Sequence, residues 1–177
     1  PHVANGTNRI VILFQSITGT LGFKSKKVSS APLDVYLGIT ATLGSVLGAQ
    51  IAIEMEAALF NKILAILMVC VGLLILFQKK QNSFELSPQL GGKKRIISMI
   101  LFFFVGIYGG FINAGIGFVI LLILTQINNL SITQANSVKV AVVTIYTTAA
   151  LLLFTFNQAV SWKLGLWMAL GSALSAW

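Results

Sequence analysis

The chain has 177 residues, of which 56% are hydrophobic and only 9% charged, against about 25% charged residues in a soluble domain. One His, one Cys and four acidic residues exclude a Cys/His zinc set, a disulfide framework and a Ser-His-Asp triad beyond the terminal His2. The net charge of +8 lies in short basic runs between apolar spans, where it orients a membrane protein and does not call for nucleic acid.

The sequence opens at Pro1 without Met and stops at Trp177 within an apolar span, as expected of an internal piece of a longer protein. Its start is polar (Pro1, His2, Asn5, Asn8, Arg9) and lacks the basic n-region and small-residue cleavage site of a signal peptide. With about 20 apolar residues per crossing, three spans follow at about 3–23, 33–53 and 57–77. A polar, Gly/Pro-punctuated stretch over 78–95 reads as an exposed loop between two halves. Residues 96–127 are interrupted by Gly106, Gly109, Gly110, Asn113, Gly115 and Gly117. They are expected to form two short helices, each rising about 20 Å, in a re-entrant hairpin. Further spans run over 135–156 and from about 161 to the end. The fold class is all-α, a polytopic transmembrane helical bundle forming a single domain.

An internal repeat organises this bundle. LGITATLGSVLGA, beginning at Leu37, aligns with LGLWMALGSALSA, beginning at Leu164, and ANGTNRIVIL, beginning at Ala4, lies over QANSVKVAVV, beginning at Gln134, which pairs Arg9 with Lys139. Residues 1–92 then form the first repeat and 93–177 the second. Lys24, Lys26 and Lys27, and Lys79, Lys80, Lys93, Lys94 and Arg95, fall in two loops placed on the cytoplasmic side by the positive-inside rule, whereas Glu54 and Glu56 fall in the intervening turn. The second copy's corresponding loop has no basic residue before Lys163. This favours an inverted repeat; a single broken crossing over 96–127 would instead make the repeats parallel. Gly44 and Gly48, and Gly171 and Ser175 in the second copy, have the spacing of close helix contacts in lipid.

The candidate substrate-binding residues follow from anion chemistry. Arg9 and Lys139 each come just after a polar run resembling a helix beginning, Asn5, Gly6, Thr7 and Asn8 in one copy and Asn136 and Ser137 in the other. Helix starts offer unpaired N–H groups and positive charge to an oxyanion, and the two ends could converge on one anion. The alternative is that both cations snorkel to lipid headgroups. In the glycine-rich stretch, Gly110, Asn113 and Gly115 belong to a non-helical segment that either lines a cavity, as in secondary transporters, or is a tightly packed turn. Glu54 and Glu56 read as an interfacial turn, Asp34 as a helix-start residue, Cys70 as a small hydrophobe, and Trp162 and Tyr36 as interfacial aromatics. No Walker, HExxH or GxGxxG motif is present, so no metal or nucleotide cofactor is expected and neither ATP-driven transport nor another enzymatic activity is indicated.

PHVANGTNRIVILFQS, GIYGGFINAGIGF, ANSVKVAVVTIYT and VSWKLGLWMALGSALSAW together resemble the sulfite exporter TauE/SafE family, also called the 4-toluene sulfonate uptake permease family. The resemblance covers nearly the whole chain. It implies a multi-pass bacterial inner-membrane protein whose partners are the lipid bilayer and a small inorganic or organosulfur anion such as sulfite or a sulfonate. Family members usually start each repeat with a glycine-rich stretch followed by Pro. The second copy here reads GFINAGIGF without the Pro, and the first copy's glycines would precede Pro1. The function expected is secondary transport, with export of the anion favoured by the membrane potential; the alternatives are an anion channel and a non-transporting scaffold.

Overall fold

The computed structural model of the 177-residue chain describes residues 2–26, 28, 33–76 and 92–176. These form seven α-helices: α1 (His2–Ser25), α2 (Leu33–Glu54), α3 (Ala57–Leu76), α4 (Gly92–Phe111), α5 (Ile116–Gln126), α6 (Ile132–Phe156) and α7 (Trp162–Ala176). The all-α expectation holds. By length and composition, α2, α4 and α6 can each cross a membrane. Their outward side chains are apolar, with Leu43, Phe104 and Leu152 all more than half exposed, as expected where lipid is the solvent. Lys27, Lys79 and Lys80, Pro32 and most of the expected 78–95 loop lie outside the described residues.

The helices alternate in direction. Asn5 meets Phe111, Thr7 meets Ser161 and His2 stacks on Phe60, which gathers the α1 start, the α2/α3 turn, the α4/α5 turn and the α6/α7 turn at one end of the bundle. At the other end Ser137 meets Val28, Ser98 meets Asn128, and Arg95 lies 3.6 Å over the Tyr36 ring. Two expectations change here. Lys93, Lys94 and Arg95 belong to α4 and not to a loop. Moreover, α4 is not a short helix: its 20 residues rise about 30 Å, because Gly106, Gly109 and Gly110 continue the helix instead of breaking it. Only α5, with 11 residues, is short, and the interruption narrows to residues 112–115.

Those glycines serve contact. Gly44 and Gly48 of α2 face Gly106 and Gly110 of α4 so closely that a Cβ at Gly44 would fall on Phe103 backbone and one at Gly110 on Ser45 backbone. This is the close backbone approach that the small-residue spacing in α2 predicts. The matching pair in α7 behaves differently, since Gly171 has open space around it.

The helix order has the directions that an inverted repeat requires, because α1 runs antiparallel to α6. Gly38 of α2 packs on Ile145 of α6, and its sequence counterpart Gly165 of α7 packs in the same way on Ile10 of α1. Ile10 therefore corresponds to Ile145 in space. The register differs from the sequence pairing, for by this packing Arg9 corresponds to Thr144 and not to Lys139.

Gly44→Ala should lower unfolding stability in detergent by about 1–3 kcal/mol, the usual cost of overpacking, whereas Gly72→Ala, with open space at its Cα, should not; thermal unfolding of the two variants checks the contrast.

Candidate functional site

Helix α4 ends among α1, α3 and α6. Phe111 stacks 5.4 Å from Phe60 and packs with Phe154 and Ala159, and Tyr146 donates a 2.6 Å hydrogen bond to Asn113 Oδ1 in the turn that follows. The last carbonyls of a helix have no partners within it, and where the end is buried, as at Gly109, Gly110 and Phe111, each must find one in the protein. Tyr108 O accepts from the backbone N–H groups of Ile112 and Asn113. The other three are met by one face of α1: Arg9 Nη1 donates to Gly109 O at 2.5 Å, Arg9 Nη2 to Gly110 O at 2.6 Å, and Asn5 Nδ2 to Phe111 O at 2.8 Å. Asn5 and Arg9 are four residues apart, so they project from one side of the helix, and together they cap α4.

The cap accounts for a buried cation. Arg9 is fully buried, and its guanidinium lies 5.4 Å from the centre of the Phe154 ring, so it does not snorkel. Burying an ion costs several kcal/mol. Two charge-assisted bonds to the carbonyls that make up the negative end of α4, together with the aromatic face, offset that cost. Both acceptors are neutral carbonyls, so the full positive charge remains, and Nε has no partner.

The turn beyond the cap is fixed from two sides. Asn113 and Gly115 adopt φ values of 64° and 69°, a left-handed conformation that glycine and asparagine tolerate best. Tyr108 Oη donates to Ala114 O at 2.5 Å, Tyr146 holds Asn113, and Ser45 Oγ donates to Tyr146 O.

The structure thus brings Asn5, Arg9, Gly110 and Asn113 together. Thr7 is adjacent and buried, its Oγ1 accepting from Ser161 N–H. Asn8 and Gly115 are exposed. Lys139 is elsewhere: half-buried, it donates to Asn136 Oδ1 at 2.7 Å and passes Gly117 of α5. Because Arg9 packs at Phe154, about 22 Å of α6 separates the levels of the two cations, and they do not converge on one anion. Nor do they sit at helix starts. The Asn5-to-Arg9 run lies within α1, and Asn136 and Lys139 lie beyond the true start of α6, where Ser131 and Gln134 form a reciprocal capping box.

Sequence reasoning passed over Tyr108, Tyr146, Thr20, Thr144 and Thr147. The available signal was Thr144, Tyr146, Thr147 and Thr148 in an otherwise apolar span.

The family description "Sulfite exporter TauE/SafE" matches residues 1–177. The chain belongs to the sulfite exporter TauE/SafE family. Among its relatives are a "Probable membrane transporter protein" of Haemophilus influenzae, 27% identical over 99% of this chain and 68% of the relative, and the "Probable membrane transporter protein YfcA" of Escherichia coli K12, 28% identical over 99% of this chain and 65% of the relative. A further one, the "Probable membrane transporter protein ORF9" of a Sinorhizobium species, is 25% identical over 97% of this chain and 65% of the relative. The chain thus spans about two thirds of the length of these TauE/SafE relatives. No solved structure gives a significant match.

Arg9→Met should destabilise the protein by about 1–3 kcal/mol for each carbonyl left without a donor, and Arg9→Lys, which can restore one bond, by less; thermal unfolding in detergent ranks the two against the parent.

Proposed function

We propose that the complete protein is a secondary transporter that exports sulfite or a related sulfonate-type anion across the bacterial inner membrane. The family description and the relatives' names support transport, and a buried cation supports the choice of an anion. Arg9 carries that argument: it is fully enclosed, is bonded only to neutral backbone carbonyls, and has Nε unpaired. Asp34, Glu54 and Glu56 stand in first or last turns or in the α2/α3 turn, away from this point. In this proposal Asn5, Thr7, Arg9, Gly110 and Asn113 form the anion site, with Asn8 and Gly115 at its edge.

Lys139 and Asn136 form a second station near the other end of the bundle. That end carries Lys24, Lys26, Lys93, Lys94 and Arg95 and is the cytoplasmic one by the positive-inside rule, which places Lys139 in the inner half and Arg9 in the outer half. An anion passing from inside to outside moves down an inside-negative potential worth about 2.3 kcal/mol per charge per 100 mV, so export of a dianion needs no coupling ion.

Sulfite flux from proteoliposomes holding the complete protein, under an imposed potential and with sulfate and an alkyl sulfonate as competitors, tests the proposal. Saturable, potential-dependent sulfite movement is expected; flux that rises linearly with concentration, or none, contradicts it. Lys139→Gln should lower sulfite flux about tenfold at low concentration, the equivalent of about 1.4 kcal/mol of lost attraction.

A further inference from the structure

Helices α1 and α6 cross antiparallel, and their shared face carries polar contacts on either side of an apolar middle. Arg9 lies against Phe154, Ile10 packs with Leu151, and Thr20 Oγ1 sits 3.4 Å from Thr144 Oγ1. Thr144, Thr147, Leu151 and Phe154 follow helical spacing on α6, so Thr147 lies on the same stripe, between the Thr20 contact and the Arg9 contact. Four buried polar atoms on these two helices have no hydrogen-bond partner in the protein: His2 Nδ1, Arg9 Nε, Thr147 Oγ1 and Thr155 Oγ1. Arg9 and Thr147 are entirely enclosed. Buried polar groups are nearly always satisfied, so two unsatisfied ones at one crossing, Arg9 Nε and Thr147 Oγ1, point to something that binds there and does not stay.

The register of the repeat gives the pair a second meaning. The two-fold relation that equates Ile10 with Ile145 also equates Arg9 with Thr144. The Arg9 contact and the Thr20–Thr144 contact therefore occupy matching positions on opposite sides of the crossing's midpoint, one charged and one offering hydroxyls only. Beyond Thr144, towards the end bearing the basic residues, comes Lys139.

We propose that the transported anion passes along the α1–α6 crossing, from Lys139 past Thr144, Thr20 and Thr147 to Arg9, the hydroxyls serving as neutral donors between two cationic stations. This rests on the transporter proposal above and adds the route. Neutral hydroxyls suit the middle of such a route, because they can satisfy an anion without holding it as a full charge would. Thr148, the next residue after Thr147, is exposed on the outer face of α6 and provides the control.

The test uses the complete protein with Cys70→Ser, reconstituted in liposomes, carrying Thr144→Cys, Thr147→Cys or Thr148→Cys one at a time. A membrane-impermeant anionic methanethiosulfonate should modify the first two at least tenfold faster than the third, and sulfite should slow that modification. Thr144→Val and Thr147→Val, which keep side-chain shape, should each reduce sulfite flux about tenfold, and Thr148→Val should leave it unchanged. Cysteines at 144 and 147 as inert as that at 148, or valine variants with parental flux, would overturn the route. Reactive cysteines in a protein that moves no sulfite would uphold the route and remove sulfite as the cargo.

Discussion

A helix end buried among other helices leaves carbonyls that its own backbone cannot satisfy, and the rest of this bundle is arranged around solving that problem at the end of α4. The solution is a face of α1 carrying Asn5 and Arg9, which between them take the carbonyls of Gly109, Gly110 and Phe111. The solution imposes conditions on its neighbours. α1 must lie close enough for Arg9 to reach, and Gly6, where a Cβ would fall on the Ala159 carbonyl, permits that approach. α4 must be held at one height, which its backbone-to-backbone seam with α2 provides. The turn must then reverse within residues 112–115, which Asn113 and Gly115 allow and Tyr108 and Tyr146 secure.

In the proposed transporter the same solution creates the functional opportunity. Neutral carbonyls hold the guanidinium without cancelling its charge, so the structural cap is also the residue proposed to attract the anion. A carboxylate partner would have stabilised Arg9 as well or better while removing its field. In the proposed route the crossing of α1 and α6 continues from that centre towards Lys139, with the charged Arg9 contact at one side and the Thr20–Thr144 hydroxyls at the other.

The architecture was legible where it depends on local pattern. Apolar length located all seven helices to within a few residues at most boundaries, and the small residues of α2 announced its seam with α4. The glycines of α4 misled, because the same residue type that ends a helix in water permits contact between helices in lipid; only its partners decide, and they lie some sixty positions away in sequence. Arg9, Asn5, Gly110 and Asn113 were recognisable as polar or special residues in an apolar chain. Their actual relation, side chains of one helix capping the end of another, depends on tertiary placement and carries no local signal. The pairing of Arg9 with Lys139 failed for a related reason. Alignment by similar charge fixed a register that the packing of Gly38 on Ile145 and Gly165 on Ile10 sets differently.

Backbone hydrogen exchange in lipid nanodiscs, comparing the parent with Arg9→Met and with Lys139→Met, tests the cap most directly. The account predicts that Arg9→Met accelerates exchange over residues 108–116, where the α4 end and its turn lose their donor, while Lys139→Met leaves that segment protected. Unchanged protection of the segment in Arg9→Met, or equal loss in both variants, would contradict it.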